Sequence, residues 1–469
     1  MTEDFPGSLL STERRAAEVF GVFAAEAEVP AAARHIARTA WLDTIGVTLA
    51  GSVEPPARIV QRVCAGGGGP CRVLGTSLTT TAEGAALANG TSAHALDYDD
   101  MCFVSLAHPS APLVSAALAA GEVKGASGDD LVDAYVVGFE IECVLGRSVN
   151  PTHYARGWHA TSTLGTIGSA AAVARLLGLD GRRATHAISI AASSASGLKE
   201  NFGTMVKPLH AGLAARAGVL AGLLAEGGFT ASDAAIDGPQ GFVAATSDNG
   251  SDLASAASGL GSRWEILETG VTVKLYPSCA ATHPPLDAML ALRREHGFEA
   301  DDIEAIDVWV DSVTPSVLIY PSPGTGLEAK FSLQFCLAAA AVHGRVGIDS
   351  FDESWPRDPR IAGLAPRVVM HVDEEIGRGA APLTQALVSV RLRSGRVLSM
   401  RAHGARGYPE RPASAQELHA KFRANAARVC APEAVEEALA VFEQFGELPD
   451  VRRLTELLAH AGGIRTASG

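Results

Sequence analysis

No dense run of lysine and arginine interrupts this chain of 469 residues, and its formal net charge is −14. A nucleic-acid binder needs a basic face, so nucleic acid is not an expected partner. Seven cysteines occur (64, 71, 102, 143, 279, 336 and 430), with no CxxC among them. An odd number in so long a chain excludes a disulfide framework and argues for free thiols in a reducing cytoplasm. No uninterrupted apolar run reaches about 18 residues, so no membrane span is expected. The opening stretch, MTEDFPGSLLSTERRAAEVF, is acidic and then amphipathic. It lacks the basic-then-apolar order of a signal peptide.

Several chemistries are missing as well. GGGGP at 66–70 has no following Gly-Lys-Ser/Thr, which leaves a surface turn in place of a phosphate loop. No GxGxxG follows an expected strand, and no GxSxG elbow occurs. HExxH is absent too.

What is present is helix. The length implies two domains. The segments AARHIARTAWLDTIGVTLAG, PLVSAALAAGEVKG, GDDLVDAYVVGFEIECVLGRSV and PLHAGLAARAGVLAGLLAEGG carry helical spacing. Their many small residues imply close helix packing. After about residue 270 the texture changes. IEAIDVWVDSV and PRVVMHVDEE alternate like strands, and LVSVRLRSGRVLSMRAH reads as a hairpin turning at Ser394-Gly395. One helix, LEAKFSLQFCLAAAAVHG, lies between the first two. The tail segments SAQELHAKFRANAARV and VRRLTELLAHAGG return to helix. The expected fold is therefore mainly α: a large helical domain over 1–271 and 405–469, with a smaller α+β domain over 272–404 inserted before the C-terminal helices.

The stretch 94–110, HALDYDDMCFVSLAHPS, gathers Asp97, Asp99 and Asp100 between His94 and His108. It lacks the Gly and Glu of a calcium loop and any matching transition-metal spacing, so no metal is expected. A second regularity is more informative. Four basic residues stand at four expected helix starts: His108 before PSAP, His159 before ATST, Lys207 before Pro208, and His283 before Pro284-Pro285. Pro and hydroxyl residues mark those starts. A helix N-terminus carries about half a positive charge, so a cation there is unfavourable for stability. It is well placed for an anion. If the four starts converge, they form a pocket for a molecule with several negative charges. Their field also lowers the histidine pKa values, leaving neutral imidazoles able to accept a proton.

At these residues the sequence resembles the MmgE/PrpD family. The motifs are NGTSAHALDYDD, AHPSAP, RGWHATSTLGTIGSAAAVARLLGLD, GTMVKPLHAG, KLYPSCAATHPPLDA and EAKFSLQF. That family includes 2-methylcitrate dehydratases, cis-aconitate decarboxylases and iminodisuccinate epimerases. The resemblance implies a homodimer without metal or organic cofactor, and a small polycarboxylate substrate bound between the two domains. It places catalysis at Asp97, His108, His159, Lys207 and His283, and substrate binding at Met101, Thr161, Lys274 and Cys279. Met101 stands where decarboxylase members carry Thr, and Cys279 supplies a thiol where they have an imidazole nearby. Both departures count against decarboxylation, and the SCAATH form is closer to epimerase-like and generic bacterial members; the expected activity is a dehydratase-like lyase, with epimerase or decarboxylase chemistry as the alternatives.

Overall fold

The computed structural model describes residues 14–248, 253–352, 354–376 and 384–459. Most of the opening stretch, at 1–13, and the end of the last expected tail helix, at 460–463, lie outside the described residues. The protein is mainly helical, with one sizeable sheet. Its buried apolar side chains form two large clusters. One draws on residues from Ala16 to Val271 and again from Phe422 to Leu458; the other runs from Tyr276 to Leu398.

The helical part is built on small side chains. Helix Ala160–Leu176 is buried on every side from Ala160 to Ala174, so it is a core helix rather than an amphipathic one. Helix Val206–Glu226 packs against both Ala82–His94 and Ala160–Leu176. The first of these crossings brings two glycines together. A Cβ at Gly212 would stand 2.3 Å from the Leu87 carbonyl oxygen, and one at Gly90 would stand 2.8 Å from Gly212 Cα. Only hydrogen fits there. Val206–Glu226 has the length and composition to cross a membrane, although Lys207, His210 and Arg216 interrupt its apolar run. Here the helix is packed within the bundle.

The sheet runs in the order Val368–Val372, Ile303–Val310, Ala386–Leu392, Val397–Ala402. The first pair is parallel and the other two are antiparallel. The parallel pair requires a crossover, which helix Leu333–His343 supplies. Ile306, Val308 and Val310 alternate with more exposed residues and face the cluster beneath that helix and His283–His296.

Two expectations need correction. LEAKFSLQFCLAAAAVHG is not one helix: it breaks into Gly326–Ala329 and Leu333–His343, because Ser332 caps the second by accepting from the Phe335 N–H. The break carries Lys330. The exposed turn at 66–70 also leads into a short antiparallel pair, Cys71–Arg72 with Thr79–Thr80, too brief to leave an alternation in the sequence.

The glycine crossing has a direct test. Gly212→Ala should destabilise the fold by about 1–3 kcal/mol through overpacking, read as a lower denaturant midpoint at unchanged slope; an unchanged midpoint would show that the crossing is loose.

Candidate active site

The loop 95–109 joins helix Ala82–His94 to helix Ser110–Lys124. Three consecutive carbonyls of this loop each accept from a buried lysine of a different segment. Lys330 Nζ donates to Leu96 O at 2.7 Å, Lys274 Nζ to Asp97 O at 3.0 Å, and Lys421 Nζ to Tyr98 O at 2.9 Å. Lys421 also pairs with Asp43 at 2.7 Å. The backbone of Met101 exchanges two hydrogen bonds with Thr272, at 2.9 and 2.8 Å. The loop is therefore clamped to the α+β part and to the tail.

Within that clamp Asp97 takes φ 51°, a left-handed conformation uncommon for a residue with a side chain. Both of its carboxylate oxygens are occupied: Lys207 Nζ donates to Oδ1 and Lys274 Nζ to Oδ2 at 3.0 Å. Burial pushes the Asp97 carboxyl up, but the two ammonium groups outweigh it and hold it well below the usual carboxylate range. Asp99 is also buried and accepts from His94 Nδ1 at 2.8 Å, with His108 Nδ1 at 3.3 Å. Asp100 instead accepts from the Ser110 N–H and hydroxyl at the next helix start.

The four basic residues do stand at helix starts. Pro109 caps Ser110–Lys124 directly after His108, and His159 is itself the N-cap of Ala160–Leu176. Lys207 lies in the first turn of Val206–Glu226, which begins two residues earlier than Pro208 suggests. His283 opens His283–His296. Three of the four converge. His108, His159 and Lys207 line one cavity with Asp97, Met101 and Cys279. His283 is buried but does not line it; its Nε2 lies 3.1 Å from the Ser278 carbonyl oxygen. Thr161 and Lys274 also stay behind the wall. The Thr161 hydroxyl accepts from the His108 N–H at 3.0 Å and so fixes where that ring starts.

Sequence reasoning passed over other residues here. His210 Nδ1 lies 3.0 Å from His159 Nδ1, so one ring donates and the other accepts. His94 stands between the rings of His108 and His159, with centroids 4.5 and 5.8 Å away. Its spacing from Asp99 was the available signal. Lys330 and Lys421 gave no local signal at all, since their targets lie more than 200 residues away.

Burial dominates the imidazoles. It lowers His159 well below its ordinary value and lowers His108 too, with Lys207 adding to both; His94 and His210 fall to about 4. These rings are neutral near pH 7. Burial and the Asp97 charge push the Cys279 thiol up. Two ammonium groups, Lys207 and Lys274, share the one carboxylate of Asp97, while Asp99 lies against the imidazoles of His94 and His108.

His94, Asp97, Asp99 and His108 each present a donor atom within 4.8 Å of one another, a spacing that a metal ion could use. The ammonium groups on both Asp97 oxygens oppose a cation there. The cavity holds about 60 Å3. That is the share of about two waters in the liquid, so a substrate enters only as the side chains of the wall move apart. A wider surface groove of about 750 Å3, around Asp287, Arg294 and Arg411, contains none of these groups.

Fold and site together define a mainly helical protein with an internal acid–base pocket formed where its two parts meet. The chain belongs to the MmgE/PrpD family: the family's N-terminal domain pattern matches residues 22–253 and its C-terminal domain pattern residues 276–446. It is 31% identical over 389 residues to the cis-aconitate decarboxylase of Mus musculus, covering 80% of this chain and 78% of that protein. Identity is 26% over 437 residues with the Homo sapiens cis-aconitate decarboxylase, covering 89% and 88%. With that of Aspergillus terreus it is 27% over 446 residues, covering 90% and 88%.

The buried neutral imidazoles set the acid limb of stability. His94, His153 and His210 protonate near 6.5 when unfolded but only near 4 when folded, and His283 near 3. The unfolded chain thus binds more protons as pH falls, and stability falls with it. Each such ring should cost roughly 2 kcal/mol at pH 5 relative to neutrality. Melting temperature measured from pH 7 to 5 should drop steadily; a flat profile would mean that the rings are solvated.

Proposed function

We propose that this chain is a lyase that moves a proton at a carbon next to a carboxylate of a small di- or tricarboxylate, and that it adds or removes water. One observation carries this: two neutral imidazoles, His108 and His159, share a cavity with the ammonium group of Lys207. A substrate carboxylate accepting from Lys207 brings its neighbouring carbon beside the rings. One imidazole takes the proton from that carbon. The electron pair spreads onto the carboxylate oxygens, where the ammonium group and the N–H groups at the helix starts stabilise it. The C–O bond to a hydroxyl one carbon further on then breaks, the imidazolium formed in the first step returns its proton to the departing oxygen, and water leaves as the double bond forms. Burial suits the first step, because a ring kept neutral is ready to act as a base; such catalysis contributes about 10²–10⁴-fold. His210 fixes the tautomer of His159. Asp97 holds Lys207 in place.

A second reading is decarboxylation, favoured by the name that the relatives share. There the C–C bond to a carboxylate breaks, carbon dioxide leaves, and the same carbon takes up a proton from solvent relayed through an imidazole. Met101 and Cys279 weigh against it, since neither holds a departing carboxylate. Without any leaving group, reprotonation on the opposite face would give epimerisation. A homodimer and a reducing cytoplasm belong to the same proposal; the seven unbridged cysteines support the second.

The test is a screen of citrate, 2-methylcitrate, cis-aconitate, tartrate and iminodisuccinate by proton NMR in D2O. Dehydration yields a vinyl signal, decarboxylation yields carbon dioxide, and epimerisation yields deuterium uptake alone. Lys207→Ala should lower turnover by about 10²–10³-fold, with little change in melting temperature because Lys274 still holds Asp97. Full activity beside a large loss of stability would make Lys207 structural.

A further inference from the structure

The cavity that holds the acid–base groups is mostly apolar. Among its described lining residues Lys207 is the one lysine, and there is no arginine. The ammonium group of Lys207 already pairs with Asp97. Tyr154, His108 and His159 are further hydrogen-bonding groups of the lining, and against them stand Met101, Phe103, Leu106, Val317 and Phe331. Phe331 packs on Phe202 with centroids 5.8 Å apart, and Phe202 packs on His159 at 5.0 Å. The apolar wall therefore reaches the imidazole itself. Thr384, a polar member of the lining, has its hydroxyl engaged by the Tyr408 hydroxyl at 2.5 Å. A trianion placed here would lose its hydration to a lining that offers it one ammonium group, already shared with Asp97, and burying unpaired charge is costly. An alkyl group would gain from the same wall, at about fourfold in affinity for each buried methylene.

We propose that this cavity selects a dicarboxylate bearing an alkyl or aryl substituent over a tricarboxylate, the substituent lying against Met101, Phe103, Leu106, Val317 and Phe331. This rests on the carboxylate reading above and narrows its substrate class. Met101 and Cys279 are then specificity residues: they replace potential carboxylate partners by side chains that prefer an apolar neighbour.

Maleate derivatives give a matched series, because cis-aconitate is maleate carrying a carboxymethyl group and propylmaleate is its near-isosteric alkyl counterpart. Titration calorimetry of the full chain should show affinity rising about three- to fourfold per methylene from methyl- to propylmaleate. Propylmaleate should bind at least about tenfold tighter than cis-aconitate, given the cost of a buried unpaired carboxylate. Affinity equal to or greater for cis-aconitate would overturn the proposal. Val317→Lys, which places a cation in the wall, should tighten cis-aconitate and weaken propylmaleate; an unchanged preference would also count against it. Deuterium uptake from D2O separates the two readings. Uptake with cis-aconitate alone overturns the substrate class and leaves the proton-transfer chemistry standing. Tight alkylmaleate binding with no uptake from any acid supports the wall and removes the chemistry.

Discussion

Three lysines that reach the carbonyls of residues 96–98 hold this site in being. A loop whose successive carbonyl groups point away from its own helices would leave buried acceptors unpaired, at about 1–3 kcal/mol each. Lys330, Lys274 and Lys421 meet them from the α+β part and from the tail. The clamp is mutual: a buried ammonium group needs acceptors as much as the carbonyls need donors. Folding of the second part and docking of the tail thereby become conditions for the left-handed turn at Asp97, and that turn aims its carboxylate between Lys207 and Lys274. The acid–base pocket is a consequence of how the two parts lock together.

Electrostatic balance decides what such a pocket can do. Cations at helix starts suggest a positively charged hollow. The structure instead shows imidazoles that burial keeps neutral and ammonium groups that carboxylates offset. Charge is thus held in reserve. It becomes available to a substrate only as electron density moves onto oxygens near Lys207, which is the condition for favouring a transition state over a ground state. A strongly positive site would bind a polyanion more tightly and gain less at the reacting carbon. The same balance explains why apolar side chains can approach so closely: with no field to satisfy, Phe202 and Phe331 can stand beside the reacting groups.

The parts legible in the sequence are those that leave a local trace. Helix starts are marked by Pro109, Pro208, Pro284 and the hydroxyls of 161–163, so the four basic positions stand out from their immediate neighbours in the chain. Alternation exposes the strands Ile303–Val310 and Val368–Val372 and the hairpin. Long-range partners leave no trace: nothing near Lys330 or Lys421 names a carbonyl more than 200 residues away, and an apparently continuous helical pattern conceals the break that frees Lys330. His210 looks like a packed helix residue because its partner, His159, lies on another helix. The pattern also overstates charge, since spacing cannot show that Asp97 spends itself on two lysines. His283 satisfies the helix-start rule, yet its Nε2 lies 3.1 Å from the Ser278 carbonyl oxygen and the ring does not line the cavity.

The central claim is that His108 and His159 are neutral, proton-accepting imidazoles beside a Lys207–Asp97 pair. It is tested most directly by nitrogen-15 NMR of histidine-labelled protein across neutral and mildly acidic pH. The account predicts that both rings show one protonated and one bare nitrogen near pH 7 and keep that signature well below the ordinary histidine pKa. Two protonated nitrogens on either ring near pH 7 would contradict it.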